Sequence, residues 1–206
     1  MSRRYLICLY PALFFLAGIG PAQAHHAMDY ALPATMLEGL LSGIGHPMLG
    51  IDHFIFIVGA GVLAAQFERG WYLPLIFVFA SVFAASLRYF GTDLSLGELP
   101  VAASLVLLGA TMLAAQTPRD SVVRLLFLVA GTLHGHGLAE AIVGAERTPL
   151  AAYLVGLAFI QCVIAFGAWR AATWGAERYP KLPLRQLAGA IAGIAGLIFS
   201  GMLLTA

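Results

Sequence analysis

Histidine and carboxylate side chains are concentrated in two short segments of an otherwise apolar chain. The segment GHPMLGIDHF, residues 45–54, lies where a long hydrophobic run begins, and LHGHGLAEAI, residues 133–142, lies where another ends. Their potential metal ligands are His46, Asp52, His53, His134, His136 and Glu140. Imidazole and carboxylate groups together suit a first-row divalent cation such as nickel, cobalt, zinc or copper, whereas a softer ion would favour thiolates.

Helical spacing divides the ligands of the second segment. His136 and Glu140 are four residues apart and therefore share one face of an ideal helix. His134 lies about 200° around the helix from His136, so we expect it to point elsewhere. We therefore rank His136 and Glu140 above His134, unless Gly135 and Gly137 unwind this turn.

The first segment needs a break in its helix to bind one ion. His46 and His53 are seven residues apart, on one face but about 10 Å apart along the axis of a regular helix. One ion can bridge them only at full stretch or across a break. Pro47 favours a helix that begins there, and Gly45 and Gly50 allow a distortion.

Two further histidines, His25 and His26, follow a small-x-small pattern that ends at Ala24. If a peptidase cleaves after Ala24, His25 carries the new terminal amine and can capture a metal ion through that amine and its ring. A mature terminus without fixed structure is the alternative interpretation.

The composition is that of a membrane protein. The 206 residues are 61% hydrophobic and only 10% charged, and the mean hydropathy is +0.89. We therefore predict an all-α, polytopic helix bundle in a lipid bilayer. A formal net charge of +1 gives no indication of a nucleic acid partner.

Residues 1–24 resemble a secretory signal peptide, because Arg3 and Arg4 precede an apolar core and a small-x-small site. An uncleaved first span is the alternative, although Pro11 interrupts the apolar stretch. We predict a signal peptide over residues 1–24 and a six-helix transmembrane domain over residues 25–206. The six apolar runs are Pro47–Phe67, Trp71–Leu87, Leu99–Thr117, Leu125–Val143, Pro149–Trp169 and Leu187–Thr205. Residues 33–45 either lie at the membrane surface or continue the first span.

Basic residues predict the orientation, because loops rich in Lys and Arg stay in the cytoplasm. With the mature amino terminus in the periplasm, the cytoplasmic loops contain Arg69, Arg119, Arg124, Arg170, Arg178, Lys181 and Arg185, and the periplasmic loops contain only Arg88 and Arg147. We therefore expect a multi-pass protein of the bacterial inner membrane, with the two histidine segments in the periplasmic half.

Several functions are compatible with these residues. Ionisable groups inside a span are costly and usually mark an ion pathway, which favours a divalent-metal uptake permease without a permanent cofactor. The plainer alternative is a structural contact, with Asp52 bonded to a histidine of the fourth span. An accessory protein that binds metal and passes it to a partner needs the same ligands. An intramembrane metalloenzyme is a further alternative, but HExxH is missing and we expect no enzyme.

At these residues the chain resembles the HupE/UreJ family of bacterial membrane proteins. The matching segments are AQAH at the end of the signal, GIGHPMLGIDHF at residues 43–54, HGHGLAEA at residues 134–141 and AAYLVGLAFIQ at residues 151–161. The resemblance implies import of nickel, or of cobalt, for hydrogenase or urease maturation. It assigns functional roles to His46, Asp52 and His53. In the second segment, Leu138 stands where many members have a third histidine. The resemblance leaves homo-oligomerisation open.

Overall fold

The computed structural model describes residues 32–92 and 97–205, and every regular element in these ranges is helical. The predicted signal peptide, His25 and His26 lie outside the described residues. The α-helices are α1 (Met36–Leu49), α2 (Ile51–Ala64), α3 (Leu73–Tyr89), α4 (Leu99–Leu113), α5 (Asp120–Leu138), α6 (Arg147–Arg178) and α7 (Leu184–Thr205). Short 3-10 turns, Gly70–Tyr72 and Ala139–Ala141, precede α3 and follow α5. The predicted all-α membrane bundle is confirmed.

By length and composition, the described residues contain fewer than six candidate spans. In the described part of the chain, four helical segments are long and apolar enough to cross a bilayer, and α1 with α2 makes a fifth if the bent pair is one span. All six predicted apolar runs contain helix, but α4 has only 15 residues. The six-span count therefore stays a prediction.

The helix α4 ends before the predicted limit at Thr117 because the backbone turns extended at Ala114 (φ −53°, ψ 142°). The guanidinium of Arg185, at the start of α7, donates a hydrogen bond of 2.8 Å to the carbonyl oxygen of Ala114. A cation at a helix carboxyl terminus satisfies an unpaired carbonyl and interacts favourably with the helix dipole.

The helix α2 forms the centre of the bundle, where it packs against α1, α3, α4, α6 and α7. Its side chains Phe56, Ile57 and Leu63 are fully buried. The ring of Phe56 stacks on Phe77 of α3 with centroids 4.9 Å apart, and it meets Phe127 of α5 edge on at 6.4 Å. This apolar core fixes the position of the first turn of α2.

Glycines allow the other helices to pack as close pairs. A Cβ at Gly131 would lie 2.5 Å from the carbonyl oxygen of Phe77. The helices α5 and α3 therefore pack closely at this point. A Cβ at Gly109 of α4 would lie 2.5 Å from the backbone nitrogen of Gly193 in α7. The GAIAG motif of residues 189–193 thus makes the helix contact that small residues at this spacing predict.

The chain breaks between α1 and α2, and the two helix axes differ by 78°. The break lies at Gly50, whose extended backbone (φ −73°, ψ 97°) ends α1 and begins α2. The expectation that a helix begins at Pro47 is wrong, because α1 continues through Pro47 to Leu49. Proline is tolerated there because its missing N–H affects only the last turn, and the Gly50 N–H bonds to the carbonyl of His46, 2.9 Å away.

Candidate functional site

Two histidines from different segments meet inside the bundle. His53 lies in the first turn of α2 and His134 in the last turns of α5. Their Nδ1 atoms are 2.8 Å apart, which is hydrogen-bond distance, and their ring centroids are 4.9 Å apart. His134 is fully buried, and His53 is only 7% exposed. The predicted convergence of the two segments is therefore present in the fold.

The hydrogen bonding continues from His134 to a third helix. The Nε2 atom of His134 lies 2.9 Å from the hydroxyl oxygen of Ser104 in α4. The Ser104 hydroxyl in turn donates to the carbonyl oxygen of Val101, 2.7 Å away. Sequence reasoning missed Ser104, although a serine within the apolar run VAASLVLLGA is the signal that could have found it.

Aromatic rings surround this histidine pair on the core side. The ring centroids of Phe56 and Phe77 lie 4.7 and 5.4 Å from that of His134. An imidazole in such apolar surroundings needs hydrogen-bond partners, since an unpaired buried polar group costs about 1–3 kcal/mol. Both ring nitrogens of His134 therefore have structural partners, His53 and Ser104.

Two glycines make room for the imidazole of His53. A Cβ at Gly50 would lie 2.8 Å from its Cδ2 atom. A Cβ at Gly137 of α5 would lie 3.6 Å from its Cε1 and 3.9 Å from its Nε2. The Nε2 edge thus faces Gly137, and Nε2 is the ring nitrogen that remains after Nδ1 bonds to His134.

The bend at Gly50 brings the histidines of the first motif together. His46, near the end of α1, is 7% exposed, and its ring centroid lies 6.1 Å from that of His53. A regular helix would hold the same residues about 10 Å apart along its axis. The break across which one ion could bridge these two histidines is therefore present in the fold.

Carboxylates lie at the same end of the bundle. The Asp52 carboxylate accepts a hydrogen bond of 2.8 Å from the backbone N–H of His53, one of the unpaired donors in the first turn of α2. Glu140 lies exposed in the turn Ala139–Ala141. Partial desolvation of the Glu98 carboxyl, together with repulsion from Asp52 and Glu140, raises the pKa of Glu98. The Glu98 carboxyl therefore lies within electrostatic range of both Asp52 and Glu140, and we call this end of the bundle its mouth.

The orientation of His134 differs from the expectation. We expected His134 to point away and His136 to join Glu140 on the binding face, but the side chain that contacts His53 is His134. The spacing argument for Glu140 fails because α5 ends at Leu138 and a 3-10 turn follows. The side chain of His136 is 7% exposed, and its backbone carbonyl accepts a hydrogen bond of 2.6 Å from Arg88 of α3.

The structural contact that sequence analysis offered as an alternative takes a different form. The Asp52 carboxylate bonds to a neighbouring backbone N–H, and the bond between α2 and α5 is the one between His53 and His134. Within residues 32–92 and 97–205, no three His, Cys, Asp or Glu side chains are grouped to hold a metal ion. The predicted ligands thus form a histidine chain with carboxylates nearby, without a closed metal cage in this part of the chain.

Comparison with known proteins gives one match. The sequence matches the family described as HupE / UreJ protein over residues 13–199, which is most of its length. No curated protein and no solved structure matches the chain. The matched range contains both histidine segments and every described helix up to Phe199 of α7.

Proposed function

The chain belongs to the HupE/UreJ family, and on this premise we propose that it is a permease that carries divalent transition-metal ions, nickel or cobalt, into the cell. The family is associated with nickel and cobalt transport or accessory function and is linked to hydrogenase and urease maturation. The proposal places the protein in the bacterial inner membrane, with the His53 end of the bundle facing the periplasm. The excess of Lys and Arg in the opposite loops supports this orientation.

The observation that carries the proposal is the hydrogen bond between His53 and His134, with the ring of His46 beside it. This arrangement directs Nε2 of His53 toward Gly137. Neutral imidazole is a ligand that nickel, cobalt and zinc accept. We assign His53 and His46 as the nitrogen donors, and His134 as the residue that holds His53.

The carboxylates supply the complementary charge. Glu98 lies close enough to Asp52 and Glu140 for electrostatic interaction, and a divalent cation would relieve the repulsion that these two groups exert on Glu98. Asp52 contributes this charge next to His53 in the sequence. Glu98, which immediately precedes α4, joins the proposed entry site.

An incomplete ligand set suits transport. A cation that binds two protein nitrogens and keeps water as its other ligands can leave the site again, and conduction requires binding that is favourable enough to enter yet weak enough to leave. The described residues offer such an open arrangement rather than a group of three or more ligands. Metal here is the cargo of the protein.

The test measures uptake of radioactive nickel by cells that express the chain or its variants. We expect His53→Ala, His46→Ala and Asp52→Asn each to reduce uptake at least tenfold at equal membrane abundance. Ser86→Ala is the matched control, because its hydroxyl bonds within α3 to the carbonyl of Val82. Wild-type uptake by the three variants would disprove the proposal. Tight nickel binding without flux into liposomes would instead support the accessory role.

A further inference from the structure

The hydrogen bonds from His53 to Val101 form one directional chain, and its direction decides which nitrogen of His53 carries hydrogen. Each neutral imidazole in the chain has one N–H donor and one nitrogen acceptor, and the serine has one hydroxyl hydrogen. Fixing any one hydrogen therefore fixes all the others. Two settings of the hydrogen-bond chain are self-consistent, and they differ in whether Nε2 of His53 carries a hydrogen.

The carbonyl of Val101 selects one setting. The Ser104 hydroxyl donates to this oxygen over 2.7 Å, so it cannot also donate to His134. His134 must then donate from Nε2 to the Ser104 oxygen and accept at Nδ1. The bond of 2.8 Å between the Nδ1 atoms requires His53 to be the donor, with its hydrogen on Nδ1.

The consequence lies at the other edge of the His53 ring. With its hydrogen on Nδ1, His53 presents an unprotonated Nε2 toward Gly137, where an added Cβ would lie 3.9 Å away. In the reverse setting an N–H would point there, and a cation would meet a positive dipole instead of a lone pair. Groups that bond the second nitrogen of a ligating histidine commonly fix its tautomer in this way.

We infer that Ser104 and His134 are positioning residues that lock His53 in its Nδ1–H tautomer, so that Nε2 is ready to bind a divalent cation. The identity of the bound cation rests on the proposed function, whereas the assignment of the His53 tautomer does not. His134 therefore has a role other than metal binding, because both of its ring nitrogens form hydrogen bonds, one to His53 and one to Ser104.

The first experiment reads the tautomer directly in metal-free protein. Full-length protein with nitrogen-15 histidine is reconstituted in lipid bilayers for solid-state NMR, and the His53 signals are assigned by their loss in His53→Gln. We expect Nδ1 of His53 to be protonated and Nε2 to be unprotonated, with the opposite pattern in His134. An Nε2-protonated His53 would overturn the inference, whether or not the protein transports metal.

The second experiment measures nickel affinity of purified variants by calorimetry. Ser104→Ala removes the acceptor for His134, and we expect a loss of about tenfold, at the lower end of the range for removing a direct partner of a metal ligand, because Ser104 acts on His53 through His134. Ser104→Thr keeps the hydroxyl, and His134→Asn keeps an acceptor near Nδ1, so both should retain most of the affinity. Thr111→Val is the control, since it removes a hydroxyl on α4 that bonds only to the Leu107 carbonyl among the described residues.

The outcomes separate the two proposals. An unchanged His53 tautomer and unchanged affinity in Ser104→Ala would disprove the positioning role, even if nickel uptake is confirmed. A correct tautomer in wild-type protein that shows neither nickel binding nor uptake would disprove the proposed function and leave the hydrogen-bond chain established.

Discussion

The backbone of Gly135 in α5 lies directly against the carbonyl group of Ser81 in α3, so that a Cβ at residue 135 would fall 2.0 Å from the Ser81 oxygen. Rotation of a side chain cannot relieve a contact with backbone. Any larger residue at this position must therefore move α5 away from α3. Because His134 immediately precedes Gly135, the packing of these two helices and the position of the buried imidazole are coupled.

Gly135→Ala is therefore expected to destabilise the bundle by at least about 1–3 kcal/mol, the usual cost of overpacking. Nickel affinity should fall as well, because His134 is displaced from His53. Gly167→Ala on α6 is the matched control, since nothing lies within 4 Å of its added Cβ. Unfolding in detergent, followed by circular dichroism, measures the difference. Equal stability of the two variants would contradict the close packing of α3 and α5.

Much of the architecture could be predicted because it depends on local sequence. Hydropathy located the helices, and the number of membrane crossings between His53 and His134 placed both at one end of the bundle. Small residues at helical spacing are typical of close helix pairs, and Gly131 and Gly193 lie in such pairs. These features follow from composition and period alone.

The geometry of the candidate site depended on information that periodicity does not contain. An ideal helix gives the angle between His134 and His136 but not which of the two faces α2. That choice is made by the packing of α5 on Phe56 and Phe77. Ser104 was missed for the same reason, since it comes from a third helix whose rotation is set by tertiary contacts.

Gly50 offers a test of the bend between α1 and α2. An added Cβ would lie 2.8 Å from Cδ2 of His53, so Gly50→Ala should push the imidazole away from its position beside His134. Alanine also favours a continuous helix more than glycine, by up to about 1 kcal/mol. We expect nickel uptake to fall at least fivefold while the protein remains folded.

The control for this variant is Gly59→Ala on the same helix. Its Cβ would lie 2.8 Å from the end of the Leu108 side chain, which can move, and it is remote from the histidines. Uptake assays at equal membrane abundance compare the two. A Gly50→Ala protein with the uptake of Gly59→Ala would show that the position of the His53 ring does not limit transport.

The buried hydrogen bond between Gln161 and Ser81 should show that losing one partner costs more stability than losing both partners. Both side chains are fully buried, and the Gln161 amide donates to the Ser81 hydroxyl oxygen over 3.0 Å. Ser81→Ala leaves that amide without an acceptor and should cost about 1–3 kcal/mol. Adding Gln161→Leu should restore most of the stability, because it removes the unpaired donor. A double-mutant cycle of unfolding free energies checks this, and additive effects would refute the pairing.

Glu98 makes the stability of the folded protein depend on pH, and the surroundings of its carboxyl determine the direction of that dependence. Partial desolvation and the charges of Asp52 and Glu140 raise the pKa of Glu98, so the folded protein favours the protonated carboxyl more than the unfolded chain does. Stability from this group is complete below its unfolded pKa and is lost as the pH rises through the higher folded value.

Glu98→Gln should therefore match the wild type in acid and become the more stable protein as the pH rises toward neutral. Unfolding free energies measured across this range test the prediction, with Glu68→Gln at the opposite end of the bundle as the control for net charge. At neutral pH, saturating nickel should reduce the difference in unfolding free energy between Glu98→Gln and wild type. A divalent cation at the mouth of the bundle would offset the repulsion that Glu98 experiences from the other carboxylates. If the difference in unfolding free energy between Glu98→Gln and wild type is the same at every pH, Glu98 does not interact with its acidic neighbours. If that difference changes with pH but not with added nickel, the cation binds elsewhere.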